Sequence, residues 1–264
     1  MGSRGQVRLS LRRRFQGGFL AIIACCFIQS SASATGVQVT PISFDFTAQD
    51  QAQALWLTNT SKQPVNVQIR IFEWSQVGGE DQLTPTRDMV PSSAILSIVP
   101  GQRQLVRLMR LNWEGPAREL SYRVFVDELP STTRNGHGLR FLVRYSIPLF
   151  VLPPGAVPRF KAGGPPPSTD PASFSARVNE QGGKTWLVVH NSGGQRLRLR
   201  ELALVNAQGR RQTIVPGLVG YVLAGQDRRW QIPVTMGALR ENVLRAKLND
   251  DPDEQSLSLD HASQ

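Results

Sequence analysis

The chain has 264 residues, 40% of them hydrophobic, which is enough to build one large or two ordinary packed domains. Charged residues make up only 19%, and glycine and proline are frequent, so short strands joined by turns are favoured over long helices. The formal net charge is +10, but no run of Lys and Arg interleaved with aromatic residues indicates a nucleic-acid partner.

Residues 1–34 have the pattern of a secretory signal peptide. Arginines begin the segment, and the apolar run Phe19–Ile28 that follows is too short to cross a bilayer as a helix. Small residues at 32–34 then suit signal peptidase, so we expect cleavage near Ala34, export, and no stable membrane insertion. The alternatives are a retained anchor and a lipoprotein, because residues 22–25 loosely resemble a lipid-attachment sequence.

Removal of this segment changes the charge and the cysteine content of the chain. The segment carries five arginines and no acid, so the net charge falls from +10 to +5. Cys25 and Cys26 both lie in it, and the exported protein is expected to have no disulfide. Stability must then come from core burial, which a chain of this length can supply.

Beyond residue 35 the sequence predicts a series of short strands. Apolar residues alternate with polar ones at 65–71, which is typical of a strand with one buried face, and residues 122–128 and 139–147 form two further alternating sets. Further strands are predicted at 37–39, 54–57, 95–99 and 105–108. Turn sequences separate them, and short strands with recurrent turns indicate a β-sandwich.

A stretch rich in proline and glycine divides the strands into two series. Proline removes backbone donors, so residues 163–168 cannot form a core strand. We predict an all-β protein with four segments after the signal peptide. They are an N-terminal domain at 35–154, a linker region at 155–170, a smaller C-terminal sandwich at 171–249, and a polar tail at 250–264 that frays.

The sequence lacks the patterns that mark enzymes and metal sites. His137, His190 and His261 have no partner at metal-ligand spacing, and no P-loop, HExxH or G-x-S-x-G sequence occurs. Asp127 and Glu128 are adjacent in a strand and point to opposite faces, so they indicate a strand end and not a glycosidase pair. We expect no catalysis, no cofactor and no metal.

Four segments carry a family resemblance: Trp56–Thr60, Val99–Leu108, Tyr122–Pro130 and Arg140–Phe150. Together, and in this order, they resemble the PapD-like pilus chaperones of chaperone–usher secretion, and most of all the archaic subgroup. The resemblance implies two immunoglobulin-like domains in a boomerang arrangement. It also implies a periplasmic protein that holds pilus subunits without cofactor or nucleotide and delivers them to an outer-membrane usher.

The resemblance assigns the subunit-binding residues to the last strand of the first domain. Members of this family lend that strand to a subunit that lacks its own final strand. By motif alignment Leu139, Phe141 and Val143 match the donor residues, two apart on one face. Alternation does not show which face is buried, so the alternative is that these three side chains face the protein's own core.

The usual basic pair that holds the subunit's terminal carboxylate is absent. The alignment places uncharged Ser43 and Pro148 at its two positions. Arginine can bind a carboxylate through two hydrogen bonds, and candidates lie on the predicted strands. They are Arg144, ranked first because it is near the donor stretch, and Arg107, Arg123 and Arg70. The alternative for each is a solvated or intramolecularly paired side chain.

Two other functions could use the same fold. A pilus component or adhesin would carry an extra donor segment, whereas only Thr35 and Gly36 precede the first strand here. A carbohydrate-binding module would present a row of tryptophans, but the five are scattered: Trp56, Trp74, Trp113, Trp186 and Trp230. An unloaded chaperone could also cap its strand by self-association, and the sequence leaves the subunit, the fibre and the oligomeric state open.

Overall fold

The computed structural model describes residues 36–112, 114–130, 142–159 and 169–260. They form two β-sandwiches, as the sequence predicts. The strands of the N-terminal sandwich are β1 (Val37–Thr40), β2 (Phe44–Phe46), β3 (Ala52–Asn59), β4 (Val65–Val77), β5 (Glu80–Pro85), β6 (Met89–Pro91), β7 (Ile95–Ile98), β8 (Arg103–Arg110), β9 (Leu120–Glu128) and β10 (Arg144–Val151).

Two sheets make the N-terminal sandwich. One has the strand order β1-β3-β8-β6, and the other has the order β2-β10-β9-β4-β5, with β7 also paired to β4. Neighbouring strands are antiparallel except β2 and β10, which run parallel. This order makes β9 a central strand, with β4 on one side and β10 on the other.

The predicted alternation forms the N-terminal core. Val67 and Ile69 of β4 and Val124 and Val126 of β9 are buried on the same face of their sheet, opposite residues from the other sheet. Each such side chain contributes about 1.5–3 kcal/mol by leaving water. The residues between them, Gln68 and Phe125, lie on the outer face of the sheet, where the candidate site is found.

The C-terminal sandwich is built from eight strands and one short α-helix in the described part of the chain. They are β11 (Phe174–Gln181), β12 (Lys184–Asn191), β13 (Leu197–Asn206), β14 (Arg211–Val222), β15 (Asp227–Ile232), α1 (Met236–Glu241), β16 (Asn242–Leu248), β17 (Glu254–Ser256) and β18 (Leu259–Asp260). The two sheets have the orders β15-β12-β11-β18 and β14-β13-β16-β17.

The end of the chain differs from the sequence-based expectation. β17 pairs with β16, and β18 pairs with β11. Leu257, between them, is 2% exposed and belongs to the C-terminal core. The prediction that the tail from residue 250 frays is therefore wrong up to residue 260, because two leucines, Leu257 and Leu259, among polar neighbours were too weak a signal for docked strands.

The proposed domain limits stay a prediction. β10 ends at Val151 and β11 begins at Phe174, and the predicted linker at 155–170 falls between them. Residues 160–168 of that linker and the predicted signal peptide lie outside the described residues. No helix in the described ranges is long and apolar enough to cross a membrane.

A buried ion cluster joins the two sandwiches. Arg196, which precedes β13, forms ion pairs of 2.7 Å with Asp45 of β2 and with Glu119, which precedes β9. Burial raises the pKa of the Glu119 carboxyl, and the charge of Arg196 opposes that rise. The cluster places the C-terminal sandwich against the sheet that contains β10.

Candidate functional site

The edge of β10 is open over most of its length. β10 pairs with β9 along all eight residues, but with β2 only through Leu149–Val151. In the described part of the chain, no strand pairs with Arg144–Pro148 on that side. Val143 extends the pairing with β9, since its carbonyl accepts a hydrogen bond from the Glu128 amide at 3.0 Å. An unpaired strand edge is a template for the strand of another chain.

A second open edge lies beside the first. β1 is an edge strand of the other sheet, paired with β3. The Tyr145 hydroxyl of β10 donates a hydrogen bond to the Val37 carbonyl of β1. The bond connects the two sheets on the side where, among the described residues, neither β1 nor Arg144–Pro148 has a strand partner.

Of the predicted donor residues, only Val143 can be located. Leu139 and Phe141 lie outside the described residues. Val143 is 37% exposed, so it is not sealed in the protein's own core, and its neighbour Leu142 is 47% exposed. By strand parity Val143 shares a face with Ile147, which is buried in the core. The donor assignment stays a prediction.

Two of the candidate arginines bind the same carboxylate. Asp127 of β9 accepts hydrogen bonds from Arg70 of β4, at 2.7 Å and 3.1 Å, and from Arg144 of β10. Its side chain is 10% exposed. Burial opposes ionisation of Asp127, but the hydrogen bonds from Arg144 and Arg70 outweigh it, and the pKa is lowered. Both guanidinium groups are therefore engaged within the protein.

An open groove lies over these side chains, with a volume of about 420 Å³. It runs from the outer face of β4 and β9 to the chain just before β10. Its lining residues are Gln68, Arg70, Asp127, Glu128, Leu129, Leu142, Val143 and Arg144. The groove thus borders the predicted donor stretch at Leu142 and Val143.

The other two candidates lie in different surroundings. Arg107 is exposed on β8, between buried Val106 and Leu108, and so lies on the outer face of the opposite sheet. Arg123 lies on the outer face of β9, with its guanidinium carbon 3.7 Å from the ring centroid of Trp74. Sequence reasoning could not separate these positions, because it did not fix which strands share a sheet.

Arg123 has a desolvated guanidinium. Burial lowers its pKa, and the nearby Asp81 charge partly opposes this. The Tyr221 ring of the C-terminal sandwich lies 5.9 Å from it, so the group is held between aromatic rings of both sandwiches. Within the described ranges its guanidinium has no hydrogen-bond or ion-pair partner.

The strand register places Arg123 beside Pro148, one of the two positions to which the motif alignment assigns the family's basic pair. Arg123 pairs with Pro148 of β10. Leu149, the next residue, pairs with Phe44 of β2, which directly follows Ser43. The Ser43 hydroxyl oxygen is buried and has no hydrogen-bond partner in the described part of the chain. A cation on the central strand thus lies beside one of these two positions, and β10 separates it from the other.

Comparison with known proteins agrees with this architecture. The family described as "Pili and flagellar-assembly chaperone, PapD N-terminal domain" matches residues 36–156. No curated protein sequence matches the chain.

Several solved structures share the fold. One is the CsuC–CsuE chaperone–tip adhesion subunit pre-assembly complex from archaic Csu pili of Acinetobacter baumannii. The match has 25% identity and a TM-score of 0.65, and covers 86% of this chain and 100% of that chain. The Salmonella enterica SafA pilin–SafB chaperone complex matches at 17% identity and a TM-score of 0.55, covering 84% and 97%. The E. coli chaperone DraB matches at 16% identity and a TM-score of 0.55, and the match covers 85% of this chain and 98% of that chain.

The two sandwiches, the strand orders and these matches lead to one assignment. The family resemblance that the sequence motifs carry is confirmed. Residues 36–156 of this chain thus match the PapD N-terminal domain of the pili and flagellar-assembly chaperones.

Proposed function

We propose that this chain is a periplasmic chaperone that binds pilus subunits by donor-strand complementation and delivers them to an outer-membrane usher. The observation that carries the proposal is the open edge of β10, which begins beside the exposed Val143. The edge belongs to a PapD N-terminal domain, and two of the similar solved structures are complexes of a chaperone with a pilin or a tip subunit.

The donor stretch would supply both backbone pairing and apolar side chains. A subunit strand could pair with the unpaired groups of β10, and a second could pair with β1. Leu139, Phe141 and Val143 would fill the gap in the subunit core, each contributing about 1.5–3 kcal/mol. The final fold of the subunit would supply the driving force, so no nucleotide is needed.

Arg123 is the best-supported anchor for the subunit's terminal carboxylate. Arg70 and Arg144 already bind Asp127, and Arg107 lies on the opposite sheet. Arg123 has no ion pair in the described residues and lies beside Pro148. A carboxylate that binds there would gain a charge-assisted pair in surroundings that water screens poorly. The order of the candidates thus differs from the one that sequence proximity suggested.

Co-expression with a pilus subunit tests the proposal. We expect the subunit to be recovered in a complex with the wild-type chain and to be lost to aggregation or proteolysis without it. Phe141→Glu should abolish the complex while the chaperone stays folded. Unchanged subunit recovery without the chain would contradict the chaperone role, and retention of a glycan by the purified protein would favour a carbohydrate-binding module.

The anchor needs its own comparison. Arg123→Met should weaken the complex, because it removes the cation and keeps most of the side-chain volume. Arg107→Met is the matched control on the opposite sheet and should leave binding unchanged. Equal effects of the two substitutions would contradict the assignment of Arg123 as the anchor, but they would not bear on the assignment of the donor strand.

A further inference from the structure

A buried glutamine joins the Arg123 site to the C-terminal sandwich. Gln76 of β4 is 7% exposed. Its side-chain Nε2 donates hydrogen bonds to the Tyr221 carbonyl at 2.8 Å and to Asp81 Oδ1 at 3.1 Å. Its Oε1 accepts a hydrogen bond from the Leu223 amide at 3.0 Å, and its own amide donates to the Gln226 side chain.

These bonds tie one segment of the C-terminal sandwich to β4. Both ends of the Gln76 carboxamide are satisfied, and two of its partners lie in residues 221–223. A buried amide that loses its partners is costly, so the arrangement favours one position of this segment. Leu223 packs in the same buried cluster as Trp74, Phe150 and Tyr221.

The same glutamine holds both rings that flank Arg123. It binds the backbone of Tyr221, whose ring centroid lies 5.8 Å from that of Trp74. It also binds Asp81 Oδ1, which accepts a second hydrogen bond from the Trp74 indole nitrogen at 2.9 Å. The two aromatic rings that flank the Arg123 guanidinium are therefore both linked by hydrogen bonds to Gln76.

We infer that Gln76 is a positioning residue for capture of a subunit's terminal carboxylate, acting through the two rings that orient Arg123. The inference rests on the proposed function. A guanidinium binds a carboxylate best through two parallel hydrogen bonds, which require a fixed plane. Loss of the Gln76 bonds would free Tyr221 and Trp74, and the fork of Arg123 would lose its fixed orientation.

The test compares one pilus subunit prepared with a free terminal carboxylate and with a terminal amide. Binding of each to the full chaperone is measured for wild type, Gln76→Ala and Arg123→Met. We expect Gln76→Ala to weaken binding of the free acid about tenfold, as loss of about one polar contact would, and to leave the amide nearly unchanged. In the double variant, Gln76→Ala should add little to the effect of Arg123→Met.

The matched control is Gln82→Ala, an exposed glutamine in the same hairpin, which should change neither complex. If Gln76→Ala does not fold, Gln76→Met, which keeps the side-chain volume, replaces it.

Equal weakening of acid and amide, or no weakening of either, overturns the positioning role. If Arg123→Met fails to distinguish acid from amide, the anchor assignment is wrong and the positioning role falls with it. If only Gln76→Ala fails to distinguish them, the anchor stands and this inference alone is wrong.

Discussion

The Tyr145 hydroxyl donates a hydrogen bond to the backbone carbonyl of Val37, across the two sheets of the N-terminal sandwich. Tyr145 also packs against the core cluster through its ring. The bond holds β10 against β1 at the side where both strands have open edges. A side chain of the protein itself thus holds this side of the sandwich together.

Tyr145→Phe should lower the free energy of unfolding by about 1 kcal/mol, because the Val37 carbonyl loses its donor while the ring stays in place. Urea unfolding measures the change. Tyr221→Phe is the control, because in the described part of the chain the Tyr221 hydroxyl has no hydrogen bond, and its effect should stay within about 0.5 kcal/mol. Equal losses in both variants would show that the Val37 bond does not stabilise the fold.

Asp127 should make stability depend on pH in the acid range. Its folded-state pKa is lowered, so its contribution is complete above its unfolded value of about 3.9 and is lost as the pH falls through the folded value. Asp127→Asn should cost about 1 kcal/mol near pH 7, since both arginine partners are partly exposed. Unfolding measured between pH 2 and 7 should show the difference from wild type shrinking below about pH 4. A difference that is constant with pH would contradict the ion pairs.

Arg196→Met should be strongly destabilising. The arginine is 1% exposed and lies between the carboxylates of Asp45 and Glu119, so its loss leaves buried negative charge uncompensated. The expected loss is about 3–5 kcal/mol by chemical denaturation. Burial raises the pKa of Glu119, so this carboxyl ionises only as the pH rises through that raised value. The loss of unfolding free energy in Arg196→Met should therefore grow with rising pH and shrink on acidification.

The control for this substitution is Arg177→Met, at an exposed position of β11. It should change stability by no more than about 0.5 kcal/mol. A similar small effect of Arg196→Met would mean that the ion cluster does not stabilise the contact between the sandwiches.

Leu257→Ala should destabilise the C-terminal sandwich by about 2–5 kcal/mol, because it leaves a cavity under the docked end of the chain. Leu218→Ala, at a position 55% exposed on β14, is the control and should have little effect. Thermal unfolding of the two variants compares them directly. No loss of stability in Leu257→Ala would mean that this end of the chain frays, as the sequence suggested.

The local pattern of the sequence was sufficient for the strands with one polar face. Alternation at 65–71 and 122–128 identified β4 and β9. β14 was missed, since Pro216, Gly217 and Gly220 interrupt its pattern and its register shifts against β13. Period-2 reasoning fails where a bulge changes the face of each residue.

The site depended on contacts between distant parts of the chain. Arg70 and Asp127 are 57 residues apart, and only the pairing of β4 with β9 shows that they meet. Gln76 and Tyr221 come from different sandwiches, and no local pattern marks either residue. The candidate arginines could be named from the sequence, but ranking them by distance from the predicted donor stretch could not show which cations already have partners.

The central claim is that one face of the segment before β10 enters a partner's core. Val143 and Leu142 are adjacent and both exposed, but strand parity places them on opposite faces. The most direct measurement is therefore the affinity of Val143→Glu and Leu142→Glu for a pilus subunit, with folding of each variant checked by its unfolding midpoint. The account predicts that Val143→Glu loses the complex and Leu142→Glu keeps it. Retained binding by Val143→Glu, or equal loss in both variants, would contradict it.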